Sequence, residues 1–181
     1  AWHGDGNARD TSARCASTPA LCNHGNASGG VRYDDKSVRN EAFFVPTSEQ
    51  VTLGTPLRFV GDFSIEFWFR TSNAATILPL VRSAPITPSS WSFGISRNAF
   101  LLEHGLGSGQ PGALRFSRPT ANRWYHVILT RKFTATRMQI EVWLDGQLAV
   151  TPSYNSTTVQ LDSPSLQIPR STVSSRHFDE I

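Results

Sequence analysis

MQIEVWLDGQLAV, residues 138–150, is the stretch that decides the fold of this chain. Two runs of alternating apolar and polar side chains flank the dipeptide Asp145-Gly146. Asp-Gly between such runs is the strongest short-range signal for a β-hairpin, because a type I′ turn needs positive φ at both central residues. The stretch therefore predicts two antiparallel strands that turn at residues 145–146.

The same alternation recurs on the N-terminal side of this hairpin. In DFSIEFWFRT, residues 62–71, one predicted face carries Phe63, Ile65, Phe67 and Phe69, and the other carries Ser64, Glu66, Trp68 and Arg70. RWYHVILTRK, residues 123–132, alternates in the same way. Successive side chains of a strand point to opposite faces, so each segment predicts a strand with one buried face.

Shorter apolar runs complete the pattern. They occur at residues 41–47, 76–83, 90–96, 99–105, 113–117, 157–161 and 165–168. Gly- and Pro-containing turns separate these runs, and no stretch has the period of an amphipathic helix. About ten or more short strands with regular turns predict an all-β fold, a two-sheet antiparallel β-sandwich of the jelly-roll type.

Composition narrows the function classes. The 181 residues suit one large domain, and the net charge is +3 with basic residues that are nearly all Arg. Because these arginines are scattered, we expect them on solvated strand faces, and a nucleic-acid partner is not predicted. No apolar run approaches the roughly 20 residues of a membrane span, so direct membrane insertion is not predicted either.

Two features favour an oxidising, extracellular setting. Cys15 and Cys22 are the only cysteines, and the six residues between them suit a loop closed by a disulfide. Asn26-Ala27-Ser28 and Asn155-Ser156-Thr157 are N-glycosylation sequons. We therefore predict a secreted or cell-surface protein, and intact mass before and after deglycosylation checks whether Asn26 and Asn155 carry glycans.

The order of these segments resembles the laminin G-like group of concanavalin A-like lectin/glucanase domains. The resemblance covers nearly the whole chain and includes residues 62–71, residues 123–132, the hairpin at 140–150 and the closing FDEI, residues 178–181. It implies one domain over residues 1–181, with residues 1–30 as an irregular, disulfide-stapled loop. It also implies that the last residues begin a closing strand that is truncated at residue 181 and pairs with an early strand.

A calcium site is predicted where the chain ends would meet. The opening loop offers Asp5, Asn7 and Asp10 among glycines, and Ca²⁺ prefers six to eight oxygen ligands. In many domains that the chain resembles, the first and last segments run side by side, which would bring Asp179 to this loop. The alternative is that these residues form Asx turns and a strand-edge ion pair.

Exposed aromatic side chains are the predicted ligand contacts, since sugar rings stack on them. The candidates are Trp91, Trp143 and Tyr154, with His104 at the start of a Gly-rich loop that would shape a rim. Trp68, Trp124 and His126 match positions that the resemblance assigns to packing. Glu66 is expected to pair with an Arg or to cap backbone groups.

The sequence does not predict an enzyme. Glucanases of this fold place two or three carboxylates within one strand, whereas Trp68 and Arg70 occupy the positions after Glu66 where these would lie. We expect a non-catalytic extracellular recognition or adhesion module that binds a glycan or a protein through its loops, within a larger surface or matrix protein. The alternative is a structural domain that packs against neighbouring domains or copies in an assembly. A third and less favoured hypothesis is a glycoside hydrolase or its accessory domain.

Overall fold

A computed structural model of the chain describes two antiparallel sheets. It describes residues 26–27, 32–34, 42–47, 49–53, 62–75, 77–84, 91–104, 112–134, 136–155, 165–169 and 176–179. The strands are β1 (Asn26–Ala27), β2 (Arg32–Asp34), β3 (Ala42–Val45), β4 (Val51–Leu53), β5 (Phe63–Thr71), β6 (Leu78–Ala84), β7 (Trp91–Ser96), β8 (Ala99–His104), β9 (Gly112–Phe116), β10 (Trp124–Phe133), β11 (Arg137–Leu144), β12 (Gln147–Val150), β13 (Ser153–Asn155), β14 (Ser165–Ile168) and β15 (Arg176–Asp179). No helix that would span a membrane occurs within these ranges.

The strands form a seven-stranded and an eight-stranded sheet. The first has the order β1-β4-β14-β6-β7-β8-β9, and the second has the order β12-β11-β10-β5-β15-β3-β2, with β13 paired to β11. All of the pairings are antiparallel. The predicted all-β sandwich is therefore confirmed.

The closing strand lies inside the eight-stranded sheet and not at its edge. β15 pairs with β3 on one side and with β5 on the other. The expectation that the last segment pairs with an early strand is confirmed. Because both edges of β15 are hydrogen-bonded, it links the start of the chain to the long central strands.

The core forms between the sheets from the inward faces that alternation predicts. Phe67 and Phe69 of β5 and Val127 of β10 are fully buried, as is Phe178 of β15. Aromatic rings dominate the packing, with Phe67, Phe69, Phe93, Phe100, Phe178 and Tyr125 in mutual contact. Rings of this size remove large apolar areas from water, which is the main stabilising contribution to a sandwich of short strands.

The hairpin at the Asp-Gly dipeptide has the predicted turn. Asp145 and Gly146 have φ values of 51° and 77°, and Leu144 pairs with Gln147 across the turn. Asp145 also fixes the neighbouring strand, since its N–H donates to the His126 carbonyl and its Oδ1 accepts from the His126 N–H, each at 2.9 Å. The turn therefore positions β10 as well as joining β11 to β12.

Two local expectations differ from the structure. Asn26 and Ala27 pair with β4, although residues 1–30 are expected to be irregular; the backbone ladder overrides the weak local pattern. Arg131 is 1% exposed, although the arginines are expected on solvated faces. Its guanidinium lies 4.5 Å from the Phe63 ring centroid and 4.8 Å from that of Phe133, so two aromatic faces compensate its desolvation.

Candidate binding face

The outer side of the eight-stranded sheet carries the richest cluster of aromatic and polar side chains in the described part of the chain. Strand register aligns one row across four strands, from Glu66 through Ile128 and Trp143 to Leu148. We call the surface around this row the binding face. It comprises Glu66, Trp68, His126, Ile128, Thr130, Gln139, Glu141, Trp143 and Leu148.

Trp68, His126 and Glu66 form one half of the binding face. Trp68 and His126 are directly opposite each other on β5 and β10, and their rings stack with centroids 4.6 Å apart and planes 21° apart. The His126 Nε2 lies 2.7 Å from Glu66 Oε1. Glu66 thus pairs with a histidine, and the expectation of an arginine partner is wrong.

Glu141 organises the other half. Its Oε2 accepts hydrogen bonds from Trp143 Nε1 at 3.3 Å and from Thr130 Oγ1 at 3.5 Å. Its Oε1 accepts from Gln139 Nε2 at 3.0 Å. A carboxylate has about four lone-pair sites, so Glu141 retains acceptor capacity beside the Trp143 ring.

Asp145 of the hairpin turn holds the backbone of His126 in position. The His126 main chain is held by two hydrogen bonds to Asp145, one with its backbone N–H and one with its Oδ1, and Arg123 Nη2 donates to Asp145 Oδ2 at 2.6 Å. The Arg123 side chain is 57% exposed, so this ion pair is worth only about 1 kcal/mol or less. Its role here is geometric, since it orients the carboxylate that holds His126.

The chemistry of the binding face suits a ligand with both apolar and hydroxyl groups. Trp68 and Trp143 are both partly exposed and provide flat apolar surfaces. Glu66, which is 62% exposed, offers hydrogen-bond acceptors close to the Trp68–His126 stack. Aromatic surfaces flanked by acceptors are what a sugar ring needs, because its C–H face is apolar and its rim is polar.

The predicted ligand contacts have different outcomes. Trp143 lies on the binding face. Trp91, by contrast, is 1% exposed and stacks on Phe63 with centroids 6.2 Å apart, so its side chain packs in the core. A ring enclosed in this way offers no face to a sugar, and the prediction of Trp91 as a ligand contact is wrong.

The other predicted positions are placed by their backbone alone. His104 pairs with Trp91 and Gly112 at the end of β8, and Tyr154 pairs with Met138 in β13. Asn26 pairs with Thr52, and Asn155 pairs with Arg137. The structure therefore leaves their roles in binding or glycosylation as predictions.

The disulfide and calcium predictions fall largely outside the described residues. Cys15, Cys22, Asp5, Asn7 and Asp10 all lie there. Asp179 is described in β15, where it pairs with Trp68. Within the described ranges no group of three or more His, Cys, Asp or Glu side chains is arranged to hold a metal ion, so calcium stays a prediction that involves the opening loop.

Sequence reasoning missed Trp68, Trp124 and His126 as surface residues. The resemblance assigned them to packing, but all three are on the outer side of the sheet and partly exposed. The strict alternation of β5 and β10 is the sequence feature that predicts their exposure. It puts the Trp68 side chain on the face of β5 opposite to the one that carries Phe67 and Phe69. Period-two alternation was the better guide than family position.

Solved structures with the same fold include binding domains of botulinum neurotoxins. One is the binding domain of botulinum neurotoxin DC in complex with rat synaptotagmin II (TM-score 0.67, 18% identity, 90% of this chain and 43% of that chain). Another is the same domain type in complex with SialylT (TM-score 0.68, 19% identity, 90% and 43%). A third is botulinum neurotoxin type C, whose cell entry is dependent upon interaction with two ganglioside molecules (TM-score 0.71, 16% identity, 90% and 43%).

These likenesses concern the fold, and this chain spans less than half of each of those chains. No curated protein matches the chain in sequence. Residues 46–179, which run from just after β3 to the end of β15, match the laminin G-type description "Concanavalin A-like lectin/glucanases superfamily". The two-sheet topology and this match agree, and the chain belongs to the concanavalin A-like lectin/glucanases superfamily.

Proposed function

We propose that this domain is a non-catalytic extracellular recognition module that binds a neutral or weakly polar glycan on the binding face. The observation that carries the proposal is the pairing of Trp143 with the Glu141 network, next to the Trp68–His126–Glu66 cluster. The proposed contact surface is a sheet face, whereas the sequence predicts that the ligand binds through the loops.

The dimensions of the binding face support an oligosaccharide. The row from Glu66 to Leu148 crosses four strands. Three inter-strand steps of about 4.8 Å give a span of roughly 14 Å, which is longer than one sugar ring. Because these positions lie on paired strands and not on loops, the aromatic rings are held in place before a ligand arrives, which lowers the entropy cost of binding.

The positions of the carboxylates support a non-catalytic role. Glycoside hydrolysis needs two carboxyl groups about 5–5.5 Å or about 6.5–9.5 Å apart. The Cα atoms of Glu66 and Glu141 lie roughly 12 Å apart, since the residues are two strands apart and two residues out of register. Their side chains do not converge, because the Glu66 carboxylate contacts His126 whereas that of Glu141 contacts Thr130, four residues further along β10. Each carboxylate is also hydrogen-bonded to neighbours on its own side.

The similar structures support recognition in general terms. Those chains are binding domains, and complexes with a sialylated glycan and with a protein receptor are among them. Low identity means that their ligands do not transfer to this chain. They support recognition as a general class of function, while this chain matches less than half of each of those binding domains.

The test is a glycan array followed by titration of the best ligand. We expect Trp143→Ala to weaken binding by about 5-fold to 150-fold, since stacking on one aromatic ring is worth roughly 1–3 kcal/mol. Trp143→Phe should lose less, because it keeps a ring and loses only the Nε1 donor. Ile77→Ala is the control, since Ile77 is also an exposed apolar residue (68%) but lies just before β6 of the other sheet, away from the binding face.

Three results would overturn the proposal. One is an array with no hit; a second is a ligand whose affinity is unchanged in Trp143→Ala; the third is an equal loss in Ile77→Ala. A negative array together with concentration-dependent self-association in sedimentation would instead favour the structural packing role.

A further inference from the structure

A second surface lies at one end of the sandwich, where three loops border an open cleft of about 430 Å³. We call it the loop-end cleft. It lies between residues 72–75, which follow β5, Asn98 in the turn between β7 and β8, and residues 118–121, which precede β10. Its volume falls within the range of about 300–1,000 Å³ that is typical of small-molecule sites.

Hydrogen bonds to residues that do not line the loop-end cleft hold its loops in place. The Asn122 N–H donates to the Thr71 carbonyl at 2.7 Å, which ties the loop before β10 to the end of β5. The Thr120 N–H donates to Tyr125 Oη at 2.6 Å. Asn98 sits in the left-handed region with φ of 63°, as the tight turn between β7 and β8 requires. The cleft is therefore preformed.

The lining combines one cation, neutral hydrogen-bonding groups and small apolar side chains. Arg118 is exposed, and within the described residues it makes no ion pair or hydrogen bond. No carboxylate occurs among the described residues that line the cleft, whereas Asn73, Asn98 and Thr120 supply amide and hydroxyl groups. The charge of Arg118 thus lacks a counter-ion in this part of the protein.

We propose that the loop-end cleft binds an acidic saccharide, whose anionic group pairs with the Arg118 guanidinium. The planar guanidinium presents a fork of donors that matches a carboxylate or a sulfate group. The hydroxyls of the sugar are bonded by the amides and the Thr120 hydroxyl. The inference shares with the proposed function the assumption of a glycan ligand, but it concerns a separate surface and a different ligand charge.

Titration followed by ¹H–¹⁵N NMR tests this inference, with glucuronate, glucose 6-sulfate and glucose as probes. We expect shifts in the amide signals of residues 72–75, Asn98 and residues 118–121 with at least one acidic probe and none with glucose. Binding of glucuronate alone identifies a carboxylate ligand, and binding of both acidic probes identifies a site for either anion. Failure of both acidic probes, or equal binding of glucose, would overturn the proposal.

Two arginine variants separate the site from general electrostatic attraction. Arg118→Gln should weaken binding about 10-fold or more, the loss expected for a charge-assisted hydrogen bond. Arg115→Gln makes the same charge change on an exposed residue of β9 and should leave the affinity unchanged. Equal losses in the two variants would refute the assignment, as would no loss in Arg118→Gln.

A third variant distinguishes this inference from the proposed function. Trp143→Ala removes a side chain of the binding face and leaves the loop-end cleft intact. We expect it to leave the affinity for the acidic probe unchanged. If Trp143→Ala abolished that binding and Arg118→Gln did not, the acidic saccharide would belong to the binding face and the inference about the cleft would be wrong.

Discussion

Phe178→Ala tests whether the closing strand contributes to the core as the structure indicates. Phe178 is fully buried, and its ring centroid lies 6.1 Å from that of Phe67 and 6.5 Å from that of Phe69. Its strand, β15, is hydrogen-bonded to β3 and to β5. Truncation to Ala therefore leaves a cavity between strands that backbone ladders hold apart.

The expected loss follows from burial and from this restraint. Phe→Ala substitutions in cores cost about 3–5 kcal/mol, and the cost is greatest where neighbours cannot collapse into the space. Since β15 is paired on both sides, we expect the upper half of that range, about 4–5 kcal/mol. Each 1 kcal/mol lowers the melting midpoint by about 2–4 °C for a protein of this size, so the midpoint should fall by roughly 8–20 °C.

Urea denaturation of the 181-residue chain, followed by tryptophan fluorescence, measures the free energy of unfolding. The slope with denaturant should be unchanged, since the two-state reasoning requires the same surface to be exposed on unfolding. Leu148→Ala is the control, because it also truncates an apolar side chain but one that is 49% exposed. We expect it to lose less than about 1 kcal/mol.

A small loss in Phe178→Ala would refute this account. If the free energy of unfolding fell by less than about 1.5 kcal/mol, β15 would not be packed as described. Equal losses for Phe178→Ala and Leu148→Ala would lead to the same conclusion, because burial would then not determine the cost.

Two further predictions concern backbone space and metal. Gly94→Ala would place a Cβ 2.4 Å from the Leu78 carbonyl oxygen, which belongs to the backbone and cannot swing away, so we expect a loss of about 2–3 kcal/mol or more in urea denaturation. Gly146→Ala is its control, with φ of 77° and nothing within 4 Å of the new Cβ, and should lose only about 1–2 kcal/mol; an equal or reversed order would contradict the steric argument. If Asp179 and the opening loop hold calcium, Ca²⁺ should raise the melting midpoint and EGTA should reverse the rise, whereas a midpoint insensitive to both would remove calcium from consideration.

Alternation predicted the faces of β5, β10 and β11 because the information is local. The burial of β5 alternates from Ile65 to Thr71, and that of β10 alternates from Trp124 to Arg131, as their sequences indicate. One face of each strand meets the core and the other faces away from it, so the position of each residue in the alternation reports its side, even for exceptions of chemical type such as the buried Arg131 and the outward Trp68. The Asp-Gly turn was predictable for the same reason, since its backbone conformation depends on two residues.

Trp91 could not be placed in this way because β7 has no exposed face. All six residues of WSFGIS are buried, polar serines included. A strand that is covered on both sides loses the contrast on which alternation depends. An exposed and a buried tryptophan then look alike in sequence, and the burial of Trp91 follows from the tertiary packing of β7.

The loop-end cleft was beyond sequence reasoning for a different reason. Residues 72–75, Asn98 and residues 118–121 are far apart along the chain and meet only because β5 and β7 end, and β10 begins, on the same side of the sandwich. Arg118 is therefore one of many scattered arginines in the sequence. The structure shows that it lines this cleft and makes no ion pair or hydrogen bond with the other described residues.

The binding face and the loop-end cleft are connected by β5, and their separation determines how the two tests combine. Trp68 belongs to the binding face, and Ser72, four residues later, lines the cleft. Four residues of extended strand span about 14 Å, beyond the roughly 7–10 Å over which substitutions commonly couple. The effects of Trp143→Ala and Arg118→Gln on a monosaccharide should therefore be independent. A non-additive effect would appear only with a ligand long enough to bridge both surfaces, so a series of acidic oligosaccharides of increasing length distinguishes two separate sites from one continuous groove.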